Sequence, residues 1–227
     1  MKRALMTLST TLLVASTLAT AQSHSDKDNL SYAMGYRTGQ ALKAQSIDIN
    51  TKQFSQGLTA GVTGAKPAVS DADMQQSLMN MQKKMGEKMQ QQYAAEAGQN
   101  EKAGAEFLAK NAKEAGVVTT ASGLQYKIIN AGSGESPAAT DTVTVNYEGK
   151  LINGTVFDSS YKRGQPATFK VNQVIKGWQE ALQLMKPGAT WMLYIPSNLA
   201  YGKMGAPGAI GPNETLVFKV DLISVKK

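Results

Sequence analysis

Residues 156–160 read Val156-Phe157-Asp158-Ser159-Ser160, and three further phrases follow them in a fixed order in the C-terminal half of the chain. These phrases are Val174-Ile175-Lys176-Gly177-Trp178, Leu199-Ala200-Tyr201-Gly202 and Asn213-Glu214-Thr215-Leu216-Val217-Phe218. None of the four places a nucleophile beside a base, and none has the spacing of metal ligands. Their aromatic residues lie among small residues and turns. This pattern favours a pocket that binds an apolar, ring-shaped group and performs no covalent chemistry on it.

The residues around these phrases predict an antiparallel sheet, because apolar side chains alternate along several short segments. The alternation involves Leu124, Tyr126, Ile128, Val143, Val145, Tyr147, Leu193, Ile195, Leu216, Phe218, Val220 and Leu222. The pair Asn153-Gly154 between two apolar runs predicts a type I′ hairpin. Residues 173–185 have the period of one short helix, whose apolar face comprises Ile175, Trp178, Leu182 and Met185. The predicted fold class is α+β, with a twisted sheet wrapped over a single short helix.

Taken together, the four phrases resemble the FKBP-type peptidyl-prolyl cis-trans isomerases, and the resemblance covers about Gly123 to Lys227. The whole layout resembles the macrophage infectivity potentiator (Mip)-like subfamily, most closely in Gly-Leu-Gln-Tyr-Lys-Ile-Ile (123–129), Ala-Leu-Gln-Leu-Met (181–185) and Ile-Gly-Pro-Asn-Glu-Thr-Leu (210–216). The resemblance implies an N-terminal all-helical dimerisation region, a long connecting helix and a C-terminal FKBP-like sheet. It also implies prolyl isomerase activity and binding of proline-containing polypeptides and of macrolide inhibitors of the FK506 and rapamycin type.

The resemblance assigns the pocket residue by residue. Trp178 matches the floor of the family's pocket, and the backbone N–H of Ile175 matches the group that holds a bound carbonyl. Tyr201 matches a hydroxyl that points into the cleft, and Asp158 matches a carboxylate at its edge. These two are the expected catalytic residues, with Asp158 orienting the substrate and not acting as a general base. The substrate-binding walls are expected to be Tyr147, Phe157, Val174, Ile175 and Phe218.

Each of these residues also has a purely structural interpretation. The aromatic residues could be ordinary core residues of a β-rich domain, and Asp158 could cap a turn. Trp191 lies on an alternating strand, and the resemblance gives it no part in the pocket.

The N-terminal half is rich in helix-forming residues. Leu30, Met34 and Leu42 fall on one face of a short helix. A second short helix carries Phe54, Leu58 and Val62 at i, i+4 and i+8 and is expected to end near Gly64. Ser70 is the predicted N-cap of a long helix. No proline interrupts the sequence from there to about Ala115, but the glycines of this helix favour bending or fraying. Beyond Tyr93 this helix is polar nearly all round, which is typical of a bridge between domains or of an unstable helix.

The predicted boundaries are a signal peptide over residues 1–21, a helical dimerisation region over 22–70, a long connecting helix over 71–115 and an isomerase domain over 116–227. Two short amphipathic helices and half of a long one make a poor monomeric core. We therefore expect a homodimer through residues 28–90, with a compact three-helix monomer as the alternative. The methionines between Met74 and Met89 fit either a dimer core or a substrate-binding surface.

Several classes of function and location follow from composition. Lys2 and Arg3 precede an apolar run that ends in Ala19-Thr20-Ala21, which predicts a secretory signal peptide and an exported, periplasmic or outer-membrane-associated protein. The net charge of +7 falls to +5 without residues 1–21. The chain has no basic stripe with interleaved aromatic residues, so nucleic-acid binding is not expected. The chain has no cysteine and a single histidine, His24. This argues against disulfides and against a histidine-based triad or metal site. No cofactor is predicted.

Two kinds of function remain open from the sequence. The first is a prolyl isomerase that assists the folding of exported proteins. The second is a dimeric chaperone, or a surface protein that interacts with a host, whose main role does not need catalysis.

Overall fold

The computed structural model describes residues 25–227, and the chain divides into two units between Met74 and Gln75. The predicted signal peptide, its cleavage site and His24 lie outside the described residues. No helix among the described residues is long and apolar enough to cross a membrane.

The first unit contains the helices α1 (Asp26–Ala44) and α2 (Thr51–Thr63). Ser25 caps α1 in a capping box with Asp28, and the Asn50 side chain caps α2. Gly64 ends α2 in the left-handed conformation, with a φ of 69°, as its place in the sequence predicted. Both predicted short helices are therefore confirmed.

The apolar faces of α1 and α2 remain uncovered in this single chain. Neither helix buries a residue. Leu30, Met34 and Leu58 are each more than 60% exposed, and Val62 is 80% exposed. The described part of the first unit therefore encloses no core of its own.

The long helix α3 (Asp71–Asn111) crosses the boundary between the two units. Its first turn is held by Ser70, whose Oγ accepts a hydrogen bond from the Asp73 N–H at 3.1 Å. The helix runs for 41 residues without interruption, which makes it about 61 Å long. The helix does not fray at its glycines, and it ends four residues earlier than about Ala115.

The C-terminal half of α3 packs against the rest of the second unit, mostly through polar groups. Asn111 donates to the Gln125 side chain at 2.8 Å, and Gln125 in turn donates to the Leu108 carbonyl at 3.0 Å. A Cβ added to Gly104 would lie 2.3 Å from the Thr215 Oγ1, so the backbone approaches closely here. This packing explains why the second half of α3 is a stable helix although it has few apolar residues. The sequence alone suggested that this segment was a bridge between domains or an unstable helix.

The second unit is built on a seven-stranded antiparallel sheet with two short helices, as far as the described residues go. In chain order its elements are β1 (Val117–Thr119), β2 (Gln125–Asn130), β3 (Thr142–Leu151), β4 (Val156–Ser159), α4 (Ser160–Arg163), β5 (Ala167–Lys170), α5 (Lys176–Leu184), β6 (Thr190–Ile195) and β7 (Leu216–Lys226). The strand order is β1-β2-β6-β7-β3-β4. The seventh strand, β5, is not part of this order and pairs with β3. The predicted fold class is confirmed.

The core lies between α5 and one face of the sheet. Trp178, Ala181 and Leu182 of α5 are buried, as is Met185 just after it. Gly177 allows α5 to approach β6, since a Cβ there would lie 2.5 Å from Ile195. Inward-facing residues of β3, β6 and β7 complete this core, as their alternation predicted: Val143, Val145, Tyr147, Leu193, Ile195, Leu216, Phe218, Val220 and Leu222.

The turn between β3 and β4 differs from the type I′ prediction. A type I′ turn needs a positive φ at both central residues. Gly154 has a φ of 89°, but Asn153 does not lie in the left-handed region. The Gly154 N–H instead donates to the Leu151 carbonyl, and the Leu151 N–H donates to the Thr155 carbonyl, both at 2.9 Å. The loop therefore has three residues, with glycine as the last, and the strands shift register beside it.

Candidate functional site

A pocket of about 420 Å³ opens in the second unit between the start of α5 and the strands around it. Its walls come from β3, β4, β5 and β7, and its rim includes a residue of the segment between β6 and β7. The structure brings all eight residues assigned from the sequence to this one pocket. Its lining residues are Tyr147, Phe157, Asp158, Phe169, Gln173, Val174, Ile175, Trp178, Tyr201 and Phe218.

Aromatic rings set edge to face form the base of the pocket. The Trp178 ring centroid lies 5.3 Å from those of Tyr147 and Phe218, at interplanar angles of 89° and 81°. The Phe157 and Phe218 rings meet at 85° with their centroids 5.5 Å apart. Such edge-to-face pairs restrict the rotation of each ring. The pocket therefore has a largely preformed apolar surface that fits a small ring.

A polar cluster lies at one edge of the pocket. The Tyr147 hydroxyl donates to the Asp158 carboxylate at 2.5 Å, and Arg163 forms an ion pair with the same carboxylate. The Arg163 Nη2 also donates to the Tyr147 hydroxyl oxygen at 2.8 Å, and the guanidinium carbon lies 5.4 Å from the centre of the Tyr147 ring. These three side chains therefore hold one another in place.

This cluster sets the charge state of Asp158. Burial acts to raise the pKa of Asp158, but the hydrogen bonds from Tyr147 and Arg163 and the charge of Arg163 outweigh it and lower the pKa. Burial and the hydrogen bond to Asp158 together raise the pKa of Tyr147. At neutral pH, Asp158 is therefore an ionised acceptor and Tyr147 a neutral donor.

Two further polar groups of the pocket residues have no partner. In residues 25–227, the Ile175 N–H and the Tyr201 hydroxyl hydrogen-bond to no other group. Ile175 occupies the N-cap position of α5, so its backbone is extended and the first turn of the helix begins after it. Both groups are available to a ligand.

The comparisons with known proteins agree with this geometry. The family model for FKBP-type peptidyl-prolyl cis-trans isomerase matches residues 133–223, and the model for the domain amino-terminal to it matches residues 27–128. The peptidyl-prolyl cis-trans isomerase Mip of Coxiella burnetii is 52% identical over 229 residues, covering 100% of both chains. The chain belongs to the FKBP-type peptidyl-prolyl cis-trans isomerase family.

Other relatives extend this result. The outer membrane protein MIP of Legionella longbeachae is 48% identical and covers 99% of this chain and 96% of its own. The crystal structure of FkpA from Escherichia coli superposes with a TM-score of 0.75 at 40% identity, covering 89% of this chain and 97% of that chain. The resemblance inferred from the sequence is thus confirmed, and the chain is an FKBP-type peptidyl-prolyl cis-trans isomerase.

Some residues at the pocket of this FKBP chain were missed from the sequence. Phe169 and Gln173 line the pocket, and the ring of Phe169 meets that of Trp178 at 88°. Alternation in β5 could have identified Phe169 as an inward residue. Arg163 has no comparable signal, because only the one-turn helix α4 brings it back to Asp158.

The described residues of this isomerase contain no group of three or more His, Cys, Asp or Glu side chains that could hold a metal ion. The pocket residues include no serine, cysteine, threonine or lysine beside a base. The pocket can therefore bind a small apolar ring, remove it from water, and orient the polar backbone on either side of it through hydrogen bonds.

Proposed function

We propose that this protein accelerates X–Pro isomerisation during the folding of exported proteins by binding the proline ring in the Trp178 pocket. The observation that carries the proposal is the set of edge-to-face aromatic rings beneath an opening flanked by unpaired hydrogen-bond donors. The proline ring contacts Trp178 at the base, between the walls formed by Tyr147, Phe157, Val174, Ile175 and Phe218.

The chemistry requires no covalent intermediate. Rotation about a peptide bond meets a barrier of ~18–20 kcal/mol, which arises from resonance between the nitrogen and the carbonyl group. The planar amide has more charge separation than the twisted amide, so an apolar pocket disfavours the planar form more. Each 1.36 kcal/mol of this difference raises the rate about tenfold.

The polar groups have separate roles in this proposal. The Ile175 N–H and the Tyr201 hydroxyl donate to carbonyl groups of the substrate and fix its direction. Asp158 is a poor general base, because its pKa is lowered and its carboxylate is held by Tyr147 and Arg163. It therefore acts as an orienting and electrostatic group. Macrolides of the FK506 and rapamycin type are expected to occupy the same apolar surface.

Export is supported by two observations. Residues 1–21 have the charged and apolar pattern of a signal peptide, and one relative is named an outer membrane protein. We infer a location in the periplasm or at the outer membrane, and an isomerase domain over residues 116–227. Cell fractionation with a specific antibody tests the location, and recovery of the full-length protein only in the cytoplasm would contradict it.

A protease-free isomerase assay on a proline tetrapeptide tests the pocket. We expect the wild-type protein to accelerate isomerisation and Tyr201→Phe and Asp158→Ala to lower kcat/KM by about tenfold each. Tyr161→Phe is a matched control, because its hydroxyl bonds Asp221 and it does not line the pocket. Equal kcat/KM in all four proteins would remove these residues from the site.

A second function, as a homodimeric chaperone, is favoured by the exposed apolar faces of the first unit. Residues 28–90 carry exposed apolar side chains on α1, α2, the segment between α2 and α3, and the first half of α3: Leu30, Tyr32, Met34, Tyr36, Phe54, Leu58, Val62, Val69, Met74, Leu78, Met79 and Met89. A second copy of the chain would cover part of this surface. The methionine-rich part left exposed would suit promiscuous binding of unfolded clients. A host-interaction role has no comparable support in the structure.

The chaperone function is tested with a client whose aggregation does not depend on proline isomerisation. We expect the full-length protein carrying Tyr201→Phe to suppress aggregation as well as the wild type. Loss of suppression in that variant would assign the effect to the pocket.

A further inference from the structure

The segment that carries Tyr201 forms a closed loop at the edge of the pocket. We define the rim loop as residues 201–213, between β6 and β7. The Asn213 N–H donates to the Gly202 carbonyl at 2.9 Å and joins the two ends of the loop. Ala206 and Ile210 bond each other across its middle, at 2.8 and 3.0 Å. The position of Tyr201 therefore depends on how the whole loop is held.

The long helix α3 holds both ends of the rim loop through hydrogen bonds. The Tyr93 hydroxyl donates to the Lys203 carbonyl at 2.7 Å, at the start of the loop. The Asn100 side chain donates to the Pro212 carbonyl at 2.9 Å, at its end. The Asn213 side chain donates to the Ala97 carbonyl at 3.3 Å, so the loop also bonds the helix backbone.

The backbone of the rim loop is shaped to this contact. Asn213 adopts a left-handed conformation with a φ of 56°, which is uncommon for residues other than glycine. A Cβ added to Gly211 would lie 2.7 Å from the Glu96 carboxylate, so the loop comes close to the side chains of α3 at this residue. The end of the loop therefore lies close against α3.

The rim loop is held by its own hydrogen bonds and by Ala206 and Ile210, which pack against the core, as well as by α3. Ile210 is buried in the core, but Met204 is 82% exposed and Tyr201 is 42% exposed. The Tyr201 hydroxyl has no partner among the described residues. The hydrogen bonds to α3 therefore hold the part of the loop that is not fixed by the core, including the exposed start that follows Tyr201.

We infer that the Tyr93–Asn100 segment of α3 positions the rim loop, so that Tyr93 and Asn100 are positioning residues for catalysis and peptide preference. This inference rests on the proposed site, since it acts through Tyr201. Small displacements of a group that orients a substrate lower the rate strongly. A looser loop also makes less specific contact with the residues that flank proline.

The test uses the full-length double variant Tyr93→Phe/Asn100→Ala. Each change removes one hydrogen bond to the loop, and the remaining side chain fits the same space. Asn80→Ala is the matched control, because Asn80 lies on the same helix and bonds only Gln76, at 3.0 Å. Both asparagine changes alter helix propensity equally.

Three kinds of measurement are made on each protein. They are kcat and KM for peptides with alanine, leucine, phenylalanine or lysine before proline, amide hydrogen exchange in the rim loop, and the midpoint of thermal unfolding. For the double variant we expect exchange at the Ile210 and Asn213 amides to accelerate about tenfold, because the closed loop opens more often. We expect kcat/KM to fall roughly two- to tenfold, unevenly across the peptides, so that the preference changes. The control is expected to match the wild type.

The outcomes separate this inference from the proposed site. A wild-type protein that does not accelerate isomerisation contradicts the site itself. In a second outcome, the wild type is active while the double variant has a loosened loop but unchanged kcat, KM and peptide preference. That result contradicts only the positioning role. An unchanged exchange rate in the rim loop also contradicts it, because α3 would then not hold the loop.

Discussion

Gly149 on β3 lies directly opposite Phe218 on β7, and the aromatic rings of the pocket fill the space that a side chain at Gly149 would occupy. A Cβ at this position would lie 2.5 Å from the Phe218 ring and 2.8 Å from the Phe157 ring. The pocket wall therefore depends on a residue that lines no part of the pocket itself.

The variant Gly149→Ala is expected to displace one of the two rings and to lower kcat/KM by at least about tenfold. Overpacking of this kind costs about 1–3 kcal/mol of folding stability. Lys150→Ala, on the opposite face of β3, is the control and should retain wild-type activity. Isomerase kinetics and chemical unfolding check both effects, and full activity in Gly149→Ala would show that the rings move at little cost.

The lowered pKa of Asp158 predicts how the protein responds to acid. A carboxyl whose pKa is lower in the folded than in the unfolded state stabilises the fold above its ordinary pKa of 3.8. That contribution is lost as the pH falls below 3.8 through the lowered value. We expect Arg163→Gln to raise the pKa of Asp158, because it removes a hydrogen bond and a positive charge.

Carbon-13 NMR titration of the Asp158 carboxyl measures this change. The neighbouring Lys162→Gln removes the same charge from the same helix without a bond to Asp158 and serves as the control. The same pKa in wild type and Arg163→Gln would mean that the ion pair does not form in solution.

Two glycines of α3 give opposite predictions. Gly98 has no atom within 4 Å of an added Cβ, so Gly98→Ala should stabilise the helix by up to ~1 kcal/mol. Gly104→Ala should destabilise the second unit by about 1–3 kcal/mol, because the Cβ would overlap the buried Thr215 side chain. Both tryptophans of the chain lie in the second unit, so denaturation followed by tryptophan emission reports on it. Equal effects of the two substitutions would contradict the docking of α3.

The two tryptophans are a matched pair for detecting ligand binding. Each is 4% exposed, and neither indole N–H has a partner within the described residues. Trp178 lines the pocket, whereas Trp191 stacks on Tyr126 with the ring centroids 4.4 Å apart. A proline-containing ligand should therefore change the emission of the wild type and of Trp191→Phe. A response that disappears in Trp191→Phe would place the ligand elsewhere.

The uncovered face of α2 predicts the effect of a charge at its centre. Leu58 is 61% exposed in the single chain, and we propose that a second copy covers it. Leu58→Glu should convert a dimer into a monomer in sedimentation velocity, because an unpaired charge would be buried. Gln56→Glu, on the same helix, should remain dimeric. A monomeric wild type would refute the dimer. Leu58→Glu should turn over a proline tetrapeptide at the wild-type rate, because the pocket lies in the second unit.

Much of the fold could be predicted from local patterns. The spacing of Trp178, Leu182 and Met185 predicted α5, and the alternation through Val143, Val145 and Tyr147 predicted β3. Both patterns depend only on which face of an element meets the core. The turn at Asn153-Gly154 was mispredicted, because its geometry depends on the register of the flanking strands, which a dipeptide does not set.

The candidate site was predictable where it consists of aromatic residues in ordered phrases, and not where it depends on contacts distant in the chain. Arg163 reaches Asp158 through a single helical turn, and Gly149 affects the pocket through Phe218 on another strand. Tyr93 lies 110 residues before the carbonyl it bonds. No pattern within a short window carries such information.

The sequence by itself determined the helical and strand segments, the FKBP-type phrases and the family, because these depend on residue type and spacing along the chain. The tertiary structure alone decided that the polar half of α3 docks on the sheet unit, that Arg163 and Tyr147 clamp Asp158, and that the rim loop bonds the long helix. These relationships depend on distances between residues far apart in sequence, which exist only once the backbone has folded.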